Sequence, residues 1–166
     1  MTKEELYRSI LSQVESLLEG DMIADMANLS SILHSTFGFW WTGFYRVRGD
    51  ELVLGPFQGP VACTRIPFGK GVCGTAWKAG ETIIVPDVDK FPGHIACSSE
   101  SRSEIVVPIR KDDEIIAVLD IDSRELARFD EIDRKYLEII MEMYVRVPLP
   151  EIRGNVMKDT ITEEGK

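Results

Sequence analysis

The sequence predicts a single α+β domain whose mostly antiparallel sheet carries helices on one face and a loop-covered pocket on the other. The chain of 166 residues is long enough for one domain with a sizeable core. Helical patterns flank a central run of strand patterns, and short turns join most of the strands, which is typical of antiparallel pairing. Long irregular connections between residues 55 and 103 would cover the second face, and such loops are usually functional.

Two amphipathic helices open the chain. Apolar residues at helical spacing predict a first helix over residues 3–19, which ends at Gly20. Asp21 is a suitable N-cap for a second helix, which we expect to end at Gly38. The two helices would cover the sheet or contact a second subunit. The positions expected to face the core are Leu6, Ile10, Val14 and Leu17 in the first helix and Met22, Met26, Leu29 and Leu33 in the second.

Strand patterns fill the centre of the chain. Aromatic and β-branched residues predict a strand over residues 39–47 and, after a turn at Gly49-Asp50, another over residues 51–54. The Gly- and Pro-rich stretch 55–60 is interpreted as a loop or a bulged strand. Three glycines then precede a short helix expected over residues 75–78.

The second half of the chain completes the sheet. Residues 83–85 predict a brief strand, and residues 87–100 are irregular. Two strong strand patterns follow at 104–110 and 114–122, joined by a tight turn. Asp130 would cap a final helix. The residues expected on its buried face are Ile132, Tyr136, Ile139 and Met143.

The composition changes after Tyr144, where two prolines interrupt the helical pattern and residues 151–166 are polar and charged. We therefore expect a domain over residues 1–146 and a flexible C-terminal tail over residues 147–166. The alternative is an arm that docks on its own or on another subunit.

Charge and hydropathy narrow the classes of partner. The net charge of −9, with no basic cluster, would repel phosphate backbones and anionic lipid, so neither nucleic acid nor a membrane surface is expected. The first residues carry charges without an apolar segment behind them, and the longest uncharged run, residues 26–45, is too polar for a membrane span. We expect a cytosolic protein whose thiols are kept reduced.

Three cysteines and two histidines are the candidate redox and metal residues. Cys63, Cys73 and Cys97 form no CxxC pair, and His34 and His94 do not supply zinc-finger spacing. No metal or cofactor is therefore expected, and the cysteines are interpreted as thiols in the resting protein. Cys97 lies in an irregular loop, where His94 would lower its pKa if the loop folds back. Cys63 could approach Cys97 as a resolving thiol, whereas Cys73 is interpreted as a packing cysteine.

Acidic side chains converge on one end of the predicted hairpin. Strand alternation places Asp120 and Asp122 on the same face, about 7 Å apart. Glu104 begins the neighbouring strand and, like Asp122, lies far from the turn. Such a cluster suits a ligand ammonium, or a carboxyl of raised pKa that donates a proton. The alternatives are a strand end that emerges into solvent, or salt bridges to Arg124 and Arg128.

Six contiguous stretches of the chain carry a resemblance to a known family. The stretches are Trp41–Tyr45, Leu54–Gly59, Gly69–Ala76, Phe91–Cys97, Ser103–Pro108 and Val118–Ser123. Together they closely resemble the free methionine-(R)-sulfoxide reductases, which are enzymes built on a single GAF domain. The resemblance runs from about Asn28 to Tyr144.

The resemblance implies a role for each candidate residue. Cys97 would attack the sulfoxide sulfur and become a sulfenic acid. Cys63 would condense with it to a disulfide that thioredoxin reduces, and Cys73 would be an accessory thiol. Glu104 and Asp122 would also take part in catalysis. The implied substrate-binding residues are the acids Glu104, Asp120 and Asp122, the aromatic walls Trp41 and Tyr45, and Ala96. The family also implies a homodimer, with the first helix as a contact.

One position departs from the family pattern. Ser98 stands where an acid usually follows the catalytic cysteine, which bears on the local activation of Cys97. A second interpretation is a ligand-binding GAF sensor without turnover, because GAF folds host both functions. The pair Cys63 and Cys97, together with the acids, favours the reductase. A reductase of peptide-bound methionine sulfoxide is a weaker third interpretation, because it would need an open groove.

Overall fold

Six strands form one antiparallel sheet at the centre of this computed structural model, which describes residues 1–95, 97 and 100–148. In chain order the strands are β1 Trp41–Arg48, β2 Glu51–Gln58, β3 Arg65–Pro67, β4 Ile83–Val85, β5 Ser103–Lys111 and β6 Glu114–Ser123. Their order across the sheet is β3-β2-β1-β6-β5-β4. The two longest strands, β5 and β6, therefore lie inside the sheet.

Helices cover both faces of this sheet, three on one and a short one on the other. The helices are α1 Lys3–Leu17, α2 Met22–Phe37, α3 Gly71–Ala79 and α4 Glu131–Arg146, with a single 3-10 turn at Val88–Lys90. Side chains of α1, α2 and α4 share one hydrophobic core with Ile105 and Leu119 of the sheet. Those of α3 share a second core with Val106 and Val118, on the opposite face. The expected α+β architecture is confirmed, but the helices do not all lie on one face as expected, because α3 packs on the other.

Side-chain caps account for the helix boundaries. The Asp21 carboxylate accepts a hydrogen bond from the Ala24 amide at 2.9 Å, and Gly38 ends α2 in the left-handed conformation with φ +66°. The Asp130 carboxylate accepts from the amides of Ile132 and Asp133 at the start of α4. The N-cap predictions at Asp21 and Asp130 are confirmed.

The Gly- and Pro-rich stretch after residue 54 continues β2 as a bulged strand. Gly43 pairs with Phe57 and Tyr45 pairs with Leu54, so β2 carries one extra residue between these pairs. Of the two interpretations of this stretch, the bulged strand is the correct one. The edge strand β3 was not predicted, because three residues are too few to show an alternating pattern.

The predicted buried faces of two helices need correction. Ile139 in α4 is 36% exposed, and Met22 at the start of α2 is 44% exposed. Two adjacent apolar stripes run along α4, and spacing alone does not tell which of them faces the sheet. The buried residues of α4 are Asp133, Tyr136, Leu137, Ile140, Met141 and Tyr144.

The β5–β6 hairpin carries the acids to the face opposite the three long helices. Glu104 pairs across the ladder with Asp122, and Val106 pairs with Asp120. Leu119 lies in the helix-covered core, whereas its neighbour Val118 lies in the opposite one, so the predicted alternation along β6 is confirmed. Within residues 1–95, 97 and 100–148, no helix is long and apolar enough to cross a bilayer.

Candidate active site

A pocket lies on the sheet face that α3 covers. Its walls come from β1, β3, β5, β6, the start of α3 and residues 61, 62, 94, 95, 97 and 101. The side chains that the sequence singled out and that line it are Trp41, Tyr45, Cys73, Cys97, Glu104, Asp120 and Asp122. Residues distant in sequence thus meet at the place where the alternation along β6 predicted a site.

A disulfide joins Cys63 to Cys97 beside this pocket. Their Cα atoms are 5.5 Å apart, and 34 positions separate them in the sequence. Cys97 lines the pocket, and the Tyr45 hydroxyl donates a hydrogen bond of 2.8 Å to the carbonyl of Cys63, which anchors that segment to β1. All three cysteines lie in the described part of the chain, and Cys73 alone is a free thiol. The expectation of three resting thiols is therefore wrong for this state, which is the oxidised one.

Three acids form the floor of the pocket. Glu104 and Asp120 are buried, and Asp122 is partly exposed. Burial raises the pKa of Glu104 well above its usual range, and the neighbouring charges of Asp120 and Asp122 add to this. Burial likewise raises the pKa of Asp122 well above its usual range and that of Asp120 to about 6. The cluster therefore holds protons near neutral pH, with Asp120 the acid that ionises most readily.

The contacts of these acids exclude the alternatives weighed for them. The predicted arginine partners bind elsewhere: Arg124 pairs with Glu100 at 3.3 Å, and Arg128 pairs with Glu125 at 3.4 Å. The acids also lie in a pocket rather than at a solvent-exposed strand end. Asp122 instead accepts a hydrogen bond of 2.7 Å from the hydroxyl of Ser101.

His94 contacts the acid cluster. Its Nε2 atom lies 3.8 Å from Oε2 of Glu104. Burial lowers the pKa of His94, so the neutral imidazole is favoured near neutral pH. This counts against the prediction that His94 lowers the pKa of Cys97 as a nearby positive charge.

Aromatic rings stack along one wall of the pocket. Trp41 lies 6.0 Å from Tyr45 and 5.2 Å from Phe57 between ring centroids, and its indole nitrogen donates to the carbonyl of Pro60 at 3.0 Å. Gly43 lies beneath these rings. A Cβ atom there would come within 2.6 Å of the Trp41 ring and 2.3 Å of the Phe57 Cβ. The wall therefore depends on the absence of a side chain at Gly43.

Sequence reasoning missed several pocket residues. Trp40 lines the pocket and lies beneath the guanidinium of Arg124, which is 3.5 Å from its ring centroid. Ser101, the partner of Asp122, lies in an irregular stretch without a pattern that could have revealed it. Ala96 and Ser98, which the family resemblance singled out, lie outside the described residues, as does the tail from residue 149.

Comparison with known proteins decides the family. A GAF domain family model matches residues 1–144. A curated relative from Saccharomyces cerevisiae, named free methionine-R-sulfoxide reductase, is 44% identical and covers 86% of this chain and 86% of its own length. This chain belongs to the GAF-domain family of free methionine-(R)-sulfoxide reductases.

Other members of the reductase family agree in sequence and in structure. The Escherichia coli protein named free methionine-R-sulfoxide reductase is 42% identical, over 89% of this chain and 91% of its own. The free methionine-R-sulfoxide reductase of Neisseria meningitidis, solved in complex with its substrate, superposes with a TM-score of 0.87 at 54% identity. That match covers 89% of this chain and 90% of the other. The GAF fold expected from the sequence is confirmed.

Proposed function

We propose that this protein reduces free L-methionine-(R)-sulfoxide to L-methionine, with Cys97 as nucleophile and Cys63 as resolving thiol. The observation that carries the proposal is the Cys63–Cys97 disulfide beside a pocket whose floor is formed by three acids with pKa values raised by burial. A disulfide at this place is the product expected when a sulfenic acid condenses with a neighbouring thiol. The family relationship supports the substrate.

In the first step the Cys97 thiolate attacks the sulfoxide sulfur. Oxide is a poor leaving group, so the sulfoxide oxygen needs a proton as the new bond forms. Glu104 and Asp122, whose pKa values burial raises, are the proposed proton donors. The protonated oxygen is transferred from the substrate sulfur to the Cys97 sulfur while the bond between the two sulfurs breaks. Cys97 thereby becomes a sulfenic acid, and methionine leaves with its sulfur reduced by two electrons.

In the second step the Cys63 thiol attacks the sulfenic acid. A sulfur–sulfur bond forms, and the oxygen leaves as water. We propose that thioredoxin then reduces this disulfide by thiol exchange, which returns both cysteines to thiols. The disulfide geometry, with Cα atoms 5.5 Å apart, lies in the usual range for a bond that forms without large backbone movement.

The acid floor supports selectivity for the free amino acid. Buried carboxylates stabilise a bound ammonium group, because a buried positive charge costs much free energy without such partners. Asp120 is the proposed ammonium ligand, because its pKa of about 6 leaves it ionised near neutral pH. Methionine within a peptide has an amide in place of the ammonium, so it lacks the group that Asp120 would bind.

Trp41 and Tyr45 are the proposed walls around the substrate methyl.

The proposed biological setting is a homodimer in the cytosol. Family resemblance supports the dimer, with α1 as the proposed contact. The exposed side chains of Met22 and Ile23 lie at the start of α2, just after the loop that follows α1. Sedimentation equilibrium would give twice the chain mass if the proposal is right, and the mass of one chain if it is wrong.

A coupled assay tests substrate and reductant together. NADPH oxidation is followed with thioredoxin, thioredoxin reductase and each epimer of free methionine sulfoxide, with the N-acetylated R epimer as the matched control lacking an ammonium. We expect turnover with the free R epimer only. A protein that turns over neither free epimer is better described as a GAF ligand-binding module, and turnover of the N-acetylated compound at an equal rate would remove the role given to Asp120.

A further inference from the structure

The proposed reaction leaves one thiol of the pocket unused. Cys73 lies in the first turn of α3, is buried, and lines the pocket. Its Sγ atom is 3.9 Å from Oε1 of Glu104. One oxygen each of Glu104 and Asp120 and the Cys73 sulfur all lie within 4.8 Å of one another. Two carboxylates and a thiol thus converge on one point of the pocket floor.

A second observation is that one oxygen of this cluster lacks a hydrogen-bond partner. Asp120 is 6% exposed, and its Oδ1 atom is buried without a hydrogen-bond partner among the described residues. A buried carboxylate oxygen without a partner costs free energy, so it marks a place where a ligand binds. The ammonium of the substrate would donate a hydrogen bond to this oxygen, but the neighbouring Cys73 thiol would stabilise an ammonium little. A metal ion would use all three groups.

We propose that Cys73, Glu104 and Asp120 form a binding site for a zinc-type divalent cation that competes with the substrate. Ligands 2.0 to 2.3 Å from a tetrahedral zinc ion lie about 3.5 Å apart, so only small side-chain shifts would bring these atoms to coordination distance. A sulfur ligand favours zinc over magnesium and calcium, which prefer oxygen. The imidazole of His94, 3.8 Å from Glu104, is placed to complete the set.

The consequence for turnover rests on the proposed function. The cation and the substrate ammonium would both need Asp120 and Glu104, so they cannot bind together. Zinc would raise the apparent KM for the free sulfoxide and leave kcat unchanged. The proposed cation site is therefore an inhibitory one. It is not a structural zinc site, because the fold shown here does not need a metal, and it is not a catalytic site, because no step of the proposed reaction uses a metal.

Cobalt binding to the oxidised protein tests the site without any activity measurement. The disulfide occupies Cys63 and Cys97, so Cys73 is the one cysteine left to give a thiolate-to-cobalt charge-transfer band. We expect this band to saturate at one Co²⁺ per chain and to disappear when Zn²⁺ is added. Absence of the band, or its persistence in excess zinc, would overturn the proposal.

Two variants and a control locate the ligands. Cys73→Ser should abolish the band and weaken zinc binding by about 10-fold or more, because a hydroxyl is a poor substitute for a thiolate. Asp120→Asn should lower the affinity for Co²⁺ but keep the charge-transfer band. This variant tests the site if Cys73→Ser fails to fold. Glu114→Gln changes an exposed acid at the far end of the same hairpin and should bind as the parent does. A band of unchanged affinity in Asp120→Asn would contradict the site.

Competition with free methionine separates this inference from the proposed function. If both are right, methionine raises the apparent Kd for Co²⁺. If the protein binds cobalt through Cys73 but reduces no sulfoxide, the metal-site proposal stands and the reductase proposal is wrong. If the protein reduces the sulfoxide but binds no cobalt, the reductase proposal stands and the metal-site proposal is wrong.

Discussion

At the scale of single residues, the raised pKa values of the three acids link the fold to the chemistry. Each lies on strands that bury it, and burial favours the neutral carboxyl. A proton is thereby kept ready for the sulfoxide oxygen at a pH where an ordinary carboxyl would have lost it. The same arrangement costs stability, because ionising these groups is harder in the folded state than in the unfolded one.

Asp120→Asn should reveal this cost. The pKa of Asp120 is raised from 3.8 to about 6, so the unfolded chain loses this proton first and stability falls as the pH rises through that range. The variant should gain about 3 kcal/mol over the parent at pH 8 and less than about 1 kcal/mol at pH 4. Denaturant unfolding at both pH values measures the difference. The exposed Asp50→Asn is the control, and an equal effect at both pH values would contradict the assigned cause.

Residues of the site differed in how far the sequence could predict them. Period-two alternation placed Asp120 and Asp122 on one face, and the hairpin placed Glu104 beside Asp122, because strand geometry leaves little freedom. Ser101 and the contact of His94 with Glu104 depend on how an irregular loop folds over the sheet, which no periodic pattern reports. The family resemblance, rather than spacing, paired Cys63 with Cys97.

At the scale of elements, the bulge in β2 shapes the aromatic wall. The extra residue in β2 lies between the Gly43–Phe57 and Tyr45–Leu54 pairs and increases the local twist, directly beside the place where Phe57 stacks on the Trp41 ring. A glycine-rich stretch in the sequence indicated either a loop or a bulge, because glycine and proline are common in both. Only the pairing partners decide between them, and those lie outside the stretch itself.

Gly43→Ala should disturb this wall. The added methyl would overlap both Phe57 and Trp41, so the rings must move, at a cost of about 1 to 3 kcal/mol. We expect a lower midpoint of thermal unfolding and a raised KM for the free sulfoxide. In Gly49→Ala the added methyl meets no atom within 4 Å, although φ is +64° there. This control should lose some stability through backbone strain and keep its KM. A parent-like KM in Gly43→Ala would contradict the role of the wall.

At the scale of the whole molecule, the two faces of the sheet have different roles, since one stabilises the fold and the other carries the candidate active site. One face packs against α1, α2 and α4 in a continuous apolar core, and the other carries the disulfide, the acids and the aromatic wall. The sequence predicted this division because the apolar and acidic positions of β6 alternate. It did not predict that α3 would cover the pocket face, since its short pattern does not tell which face it packs on.

A shortened chain tests where the domain ends. A chain that stops after Pro148 should keep its unfolding midpoint and its activity, because the buried residues of α4 end at Tyr144. Stopping after Leu137 removes Ile140, Met141 and Tyr144 from the core and should prevent folding. Thermal unfolding and the NADPH-coupled assay measure both chains. A large loss of stability or activity in the longer chain would instead favour a docked arm.

Single-turnover methionine formation tests the central claim that Cys97 takes the sulfoxide oxygen and Cys63 resolves it. Fully reduced protein is mixed with excess free methionine-(R)-sulfoxide without reductant, and methionine is counted per chain, with the S epimer as control. We expect one methionine per chain in the parent and in Cys63→Ser, which should retain a trappable sulfenic acid at Cys97, and none in Cys97→Ser. Methionine formed by Cys97→Ser at the parent level would contradict the account.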